Sequence, residues 1–251
     1  DPILANVTTD GYDLNNPYEL SAKDKKKIKS TAKSKQAEAE SAALSNMWRN
    51  KAVADTYMPG SVFKMCVASA ALEENLVNEK TSFTCTGSIE VEGETIHCSN
   101  ISGHGTQNFV EVISNSCNPA FIQIGQMLGA GKFRQYYQGF GFSDKTGIDL
   151  PGEAEDSFWK EGKMGGVDLA VASFGQNFTI TPIQMITACA AVSNGGYVVQ
   201  PHVVSKITDS KGNVIKTVDK KVKRQVISDD TSKKMNEYLE YNTERQGAAA
   251  G

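Results

Sequence analysis

Met58-Pro59-Gly60-Ser61-Val62-Phe63-Lys64-Met65-Cys66 sets one serine and one lysine three residues apart, behind a Pro-Gly turn and inside an apolar run. Val62, Phe63, Met65, Cys66, Ala70 and Leu72 recur at helical spacing, which predicts a buried helix beginning at Ser61. On such a helix residues three apart share a face, so the amine of Lys64 comes within reach of the hydroxyl of Ser61. A serine hydroxyl is a weak nucleophile until a base takes its proton. Burial among Val62, Phe63 and Met65 lowers a lysine pKa toward that task, and the free N–H groups of a helix start favour an oxyanion forming there. The spacing is weak evidence by itself, because a solvated lysine fits it equally well.

Outward from this stretch the chain is ordinary in bulk. Its 251 residues are 39% hydrophobic and 22% charged, enough for one domain with a full core. A net charge of -3 gives no general attraction to nucleic acid, and the local lysine-rich run 23–35 reads as a solvated helix face. No stretch approaches eighteen apolar residues and no charged-then-apolar leader is present, so the expectation is a soluble chain, or one whose anchor lies outside it.

The period of the sequence changes along its length. Ser21 is placed to cap a lysine-rich helix, and a second helix is expected over about 37–50. Residues 88–92 and 95–97 read as a hairpin around Gly93-Glu94, followed by a Gly-rich loop through Gly103-His104-Gly105. Helices are expected over 109–115, 119–128 and 132–138. A loop over "GFSDKTGIDLPGE" and a Pro-started helix in "TPIQMITACAAVSNGG" come next. Strands over 197–218 around the turn Ser210-Lys211-Gly212-Asn213 and a last helix over 231–241 complete the chain.

Ser116-Cys117-Asn118 has the form S-x-N, 55 residues after Ser61, in a short segment between two helices. Such a segment can present a hydroxyl and an amide to a cleft, where they relay a proton and hold a substrate amide. The same two side chains serve equally as caps for the helix that starts at Pro119.

"TYMPGSVFKM", "GHGTQNFVEVISNSCNPAFIQIGQMLG", "GFGFSDKTGIDLPGE" and "ASFGQNFTITPIQMITACAAVSNGGYVVQPHVV", in that order, resemble the transpeptidase domain of class B penicillin-binding proteins of the elongation and sporulation type. The likeness runs from Pro17 to Val204. It implies an α/β (α+β) transpeptidase fold shared with serine β-lactamases, with an antiparallel sheet flanked by helices. The whole of 1–251 is then one such domain, carrying a hairpin and loop insertion over 83–105 beside the active site. It implies a serine acyltransferase that takes D-Ala-D-Ala stem peptides, with Ser61 as nucleophile, Lys64 as base, and Ser116 and Asn118 assisting. The implied partners are peptidoglycan strands and their lipid-linked precursors, β-lactams and a membrane glycan polymerase. The implied location is the extracytoplasmic face of a bacterial membrane, reached through an N-terminal anchor. The family also has a catalytic K-T-G on a strand. Lys145-Thr146-Gly147 stands in a segment matching a different family loop, so no catalytic role is assigned to Lys145, and the K-T-G strand is expected downstream of Gly251, leaving the fold incomplete at its C-terminus.

Five cysteines do not suggest a disulfide framework. Cys66 and Cys189 sit in apolar helical sequence and read as small buried hydrophobes. Cys85, Cys98, His104 and Cys117 form a soft Cys3His set within 33 residues, suited to structural tetrahedral Zn2+, with His97 competing with Cys85 for the fourth place. Similar ligands before the S-x-N motif in related elongation-type enzymes support that reading; three unrelated thiols and a surface histidine are the alternative. Two other functions are compatible with these features: a β-lactamase or β-lactam sensor of the same fold, for which no deacylating Glu motif is present, and a non-catalytic, zinc-stabilised binding module.

Overall fold

The computed structural model describes residues 3–9, 11–154 and 158–250, with side chains to Glu244. Helix α1 (Ala22–Lys29) starts as its sequence dictates, with Ser21 Oγ accepting from the Asp24 N–H, and it buries no residue. Helix α2 (Gln36–Trp48) follows, and the short α3 (Lys51–Ala54) is capped by Asn50.

The segment expected as one helix from Ser61 divides in two. Gly60–Phe63 is a 3-10 turn and α4 (Lys64–Glu73) is the α-helix proper. Gly60, at φ +57, turns the chain in a left-handed conformation that a helix cannot begin from, and the tighter turn takes up the difference. Helix α4 is buried on nearly every side, Ala68, Ala70 and Ala71 completely, and its small side chains let neighbouring helices close around it.

Strands β1 (Ser82–Cys85) and β4 (Gly105–Asn108) form one antiparallel ribbon, and β2 (Ser88–Val91) and β3 (Glu94–His97) form the hairpin between them. The hairpin turn is Glu92-Gly93, one residue earlier than the sequence pattern indicated. Both residues have positive φ, 51° and 88°, as a two-residue turn matched to strand twist requires. Helix α5 (Phe109–Ser114) carries an Asn108/Glu111 capping box. Helix α6 (Asn118–Gly139) breaks at Gly129, where φ 75 and ψ 157 are non-helical, so the two helices read from the sequence meet end to end.

Helix α7 (Gly166–Ala172), unforeseen in the sequence, leads to α8 (Pro182–Ser193), which starts on a Thr181/Gln184 capping box. Strands β5 (Tyr197–Val199), β6 (Lys206–Thr208), β7 (Val214–Thr217) and β8 (Val222–Gln225) follow, then α9 (Asp229–Ala250). The mixed α/β class with antiparallel pairing is as expected. In place of one sheet, the described residues show four two-stranded ribbons: β1-β4, β2-β3, β5-β8 and β6-β7. Helix α4 packs against α5, α6, α8 and α9 and forms the centre of the core. Among the described residues no helix is long and apolar enough to cross a membrane.

Candidate active site and metal centre

Phe63 holds the 3-10 turn from behind. It is 2% exposed and packs among the rings of Phe133, Tyr137, Phe142 and Phe178 at centroid distances of 4.9–6.3 Å. From the front, Gly60 N–H donates to Gly175 O at 2.9 Å. Gly175 has φ +84, and a Cβ there would stand 2.0 Å from Gly60 O, so the two backbones touch where no side chain fits. Clamped on both sides, the turn presents Ser61 to solvent. Ser61 lies in the 3-10 turn and Lys64 three residues on at the start of α4, a spacing that keeps the two on one face.

Lys64 is 4% exposed, yet its ammonium is fully partnered: Nζ donates to Ser116 O at 2.7 Å, Ser116 Oγ at 2.9 Å and Asn118 Oδ1 at 2.7 Å. It also lies 5.3 Å from the ring centre of Phe121. Burial lowers its pKa to about 8, with the Cys117 and Cys98 sulfurs acting in the opposite sense. The expected Lys64–Ser61 hydrogen bond is not formed; Ser61 Oγ has no hydrogen bond among the described residues. The amine rests instead on the S-x-N segment, one turn from the hydroxyl, and catalytic hydrogen bonds commonly tighten only when substrate is present.

The capping alternative for Ser116 and Asn118 fails on geometry. Helix α6 begins at Asn118 with Cys117 at its N-cap, and no side chain caps it. Ser116 instead adopts φ +49, a strained conformation for a non-glycine residue, and this turns its hydroxyl and carbonyl onto Lys64. Asn118 Nδ2 donates to His97 O at 3.3 Å, joining the end of the hairpin to the same site.

Behind that segment lies the cysteine cluster. The ligand atoms of Cys85, Cys98, His104 and Cys117 all fall within 4.8 Å of one another, with Cys98 Sγ 3.5 Å from His104 Nδ1. Four ligands placed tetrahedrally at about 2.3 Å from an ion stand about 3.8 Å apart, so the spacing suits Zn2+, as does the soft donor set. The β1-β4 register sets Cys85 opposite Gly105, and Cys98 N–H donates to Gly87 O at 2.9 Å. The 86–87 and 98–103 loops cross so closely that a Cβ on Gly103 would lie 2.4 Å from Cys85 O. The three cysteines are buried. Burial pushes the Cys85 thiol up, but the N–H groups of Gly87 and His104 and the Cys117 and Cys98 thiols outweigh it and bring it below its ordinary value. Burial pushes Cys117 up to about 12. His97 is exposed and lies outside the cluster, whose fourth member is Cys85.

Lys145-Thr146-Gly147 is an exposed-to-buried loop organised around another group. Glu153 accepts from the Thr146 N–H at 2.6 Å and the Gly147 N–H at 2.9 Å, and Lys223 Nζ donates to Lys145 O at 3.0 Å. Lys145 is exposed, and none of these contacts involves Ser61, Lys64, Ser116 or Asn118. A recess of about 610 Å3 between residues 3–7 and α8, lined by apolar side chains including Ile183 and Ile186, also contains none of the four. Sequence reasoning missed Phe121 and Gly175 as parts of the site. The Gly175 signal was present in "ASFGQN"; a lone aromatic carried none.

The family described as the penicillin binding protein transpeptidase domain matches residues 3–251. The chain is 42% identical over 196 residues to stage V sporulation protein D of Bacillus subtilis, covering 76% of this chain and 30% of that protein. It is 34% identical over 167 residues to the peptidoglycan D,D-transpeptidase MrdA of Acinetobacter baumannii, covering 62% of this chain and 25% of that one. It thus spans less than a third of the length of either relative. Among solved structures, penicillin binding protein 3 of Mycobacterium tuberculosis complexed with aztreonam superposes with a TM-score of 0.68 at 27% identity, over 76% of this chain and 42% of that chain.

Proposed function

The chain belongs to the penicillin-binding protein transpeptidase family, and from that premise we propose that it forms the acyl-transfer site of a peptidoglycan D,D-transpeptidase acting on D-Ala-D-Ala stem peptides. Ser61 Oγ attacks the carbonyl carbon of the penultimate D-Ala while its proton passes to Lys64 Nζ. The amide to the terminal D-Ala breaks, and the Ser116 hydroxyl, bonded to Lys64, relays a proton to the leaving nitrogen. An acyl-serine ester remains and free D-Ala departs. The amine of a neighbouring strand then attacks the ester, forming the new amide, and its proton returns through Lys64 to Ser61 Oγ. Asn118 orients Lys64 through Oδ1 and offers its amide to the substrate backbone. β-Lactams acylate the same serine as their ring amide opens, a reading supported by the aztreonam complex of the mycobacterial relative.

The observation that carries this reading is Lys64: a buried amine bonded to both ends of S-x-N, three residues from an exposed serine, with its pKa lowered by burial to about 8. Cys85, Cys98, His104 and Cys117 would hold Zn2+, which supplies a closed structural cross-link rather than a reacting centre. Because Cys117 is the middle residue of S-x-N, such a cross-link holds Ser116 and Asn118 in register with Lys64. The setting proposed for this chemistry is the extracytoplasmic face of the bacterial membrane, with an N-terminal anchor and a membrane glycan polymerase as partner.

The test is covalent labelling of the full-length protein by a fluorescent penicillin. Wild type becomes labelled and Ser61→Ala does not; labelling of Ser61→Ala at the wild-type rate would remove Ser61 from the mechanism. Rapid release of the label would identify a β-lactamase on the same fold.

A further inference from the structure

Gln107 is a polar residue with no place in the chemistry above, and it is 2% exposed. It lies on β4 opposite Phe83, two residues along from the Gly105–Cys85 pair, so the pleat puts it on the same face of the β1-β4 ribbon as Cys85. Its carbonyl is satisfied: Oε1 accepts from Asn115 Nδ2 at 2.8 Å. Its amide nitrogen is not. Gln107 Nε2 is buried with no hydrogen-bond partner of ordinary geometry among the described residues. Burying an N–H donor without an acceptor is costly, so such a group in a well-packed interior calls for an explanation.

The group it stands beside is Cys117. The Gln107 side chain and the Ala120 N–H both face that sulfur. A neutral thiol is a poor acceptor, whereas a metal-bound thiolate is a good one. The unsatisfied donor and this sulfur therefore complement each other best in the metal-loaded state. On its other side the same side chain grips Asn115, the residue before Ser116.

We propose that Gln107 is a positioning residue that spans the Cys3His metal centre and the S-x-N segment, donating through Nε2 to the metal-bound Cys117 sulfur while holding Asn115 through Oε1. The inference rests on the metal reading given above. Outer groups that hydrogen-bond to metal ligands are typically worth 10- to 100-fold in metal affinity. The second bond gives the centre a path to the catalytic segment independent of the Cys117 backbone.

The experiment measures Zn2+ affinity by competition with a chromophoric chelator, and the thiolate-to-metal charge-transfer band of the Co2+-substituted protein. It compares wild type, Gln107→Met, Gln107→Glu and Asn115→Ala. Gln107→Met keeps the volume and removes the donor, and Gln107→Glu keeps the acceptor for Asn115 while replacing the donor by a charge. Both should bind Zn2+ about 10- to 100-fold more weakly and shift the Co2+ band. Asn115→Ala should leave affinity nearly unchanged. The metal-free proteins should melt alike, with the variants losing part of the Tm gain that Zn2+ gives wild type. In a Cys117→Ser background Gln107→Met should add little further loss, because the shared partner is gone. Wild-type protein that takes up no Zn2+ overturns the metal reading and this inference together. Tight wild-type binding matched by Gln107→Met, with an unshifted Co2+ band, overturns this inference alone.

Discussion

If Lys64 is the base, acylation must follow the titration of its amine. Burial sets that pKa at about 8, so about 10% of the amine is neutral at pH 7, half at pH 8 and about 90% at pH 9. Only the neutral form accepts the Ser61 proton. The second-order acylation constant should therefore rise about fivefold from pH 7 to pH 8 and less than twofold more by pH 9, inflecting near 8. The groups bearing on this amine are the Ser116 and Asn118 acceptors and the Cys117 and Cys98 sulfurs, so the profile is best taken on protein of defined metal content. The assay is stopped-flow or gel-based labelling of the full-length protein with a penicillin whose own ionisation lies outside this range. Lys64→Ala should retain the fold and lose about 100-fold or more at pH 8, the usual worth of a positioned base, and its residual rate should lose the inflection. A flat profile between pH 6.5 and 9.5, an inflection near the ordinary lysine value, or a Lys64→Ala variant that keeps the wild-type curve would refute the assignment.

Gly175→Ala would set a Cβ 2.0 Å from Gly60 O at φ +84, which costs about 2 kcal/mol or more. Its Tm should fall by about 4–8 °C, with slower acylation because the Ser61 turn is displaced; a Tm within 1 °C of wild type contradicts the clamp. Lys145→Ala should leave labelling nearly unchanged, since Lys145 is exposed and its loop is organised by Glu153; a drop comparable to Lys64→Ala would restore it to the site. Metal analysis of reduced, chelator-free protein should find close to one zinc per chain, and less than about 0.2 defeats the cluster as a structural Zn2+ site. Chelation, Cys98→Ser and His104→Ala should each lower the Tm and slow acylation, whereas Cys66→Ser and Cys189→Ser should cost only local packing.

Much of this molecule was legible before any coordinates. The Ser61/Lys64 spacing, the S-x-N triplet and the Cys3His set are all patterns whose residue types carry their chemistry, and helix starts such as Ser21 and Thr181 were written in their capping residues. Elements without an apolar period stayed hidden. Strand β8 reads Val-Lys-Arg-Gln and is mostly exposed, and α7 is a seven-residue helix in glycine-rich sequence. What only the tertiary structure decided are the relations between distant segments. Lys64 prefers Ser116 and Asn118, more than fifty residues away, to the neighbouring Ser61, because the fold closes α4 against the start of α6. Ser116 and Asn118 are not helix caps because a left-handed backbone at Ser116 aims them at an ammonium. Cys85 rather than His97 belongs to the cluster because the β1–β4 register carries Cys85 inward, while His97, opposite Ser88 in the separate β2–β3 ribbon, is left in solvent. Local sequence selects which chemical groups are available. Long-range packing selects which of them meet, because their distances are set by contacts that no single segment contains.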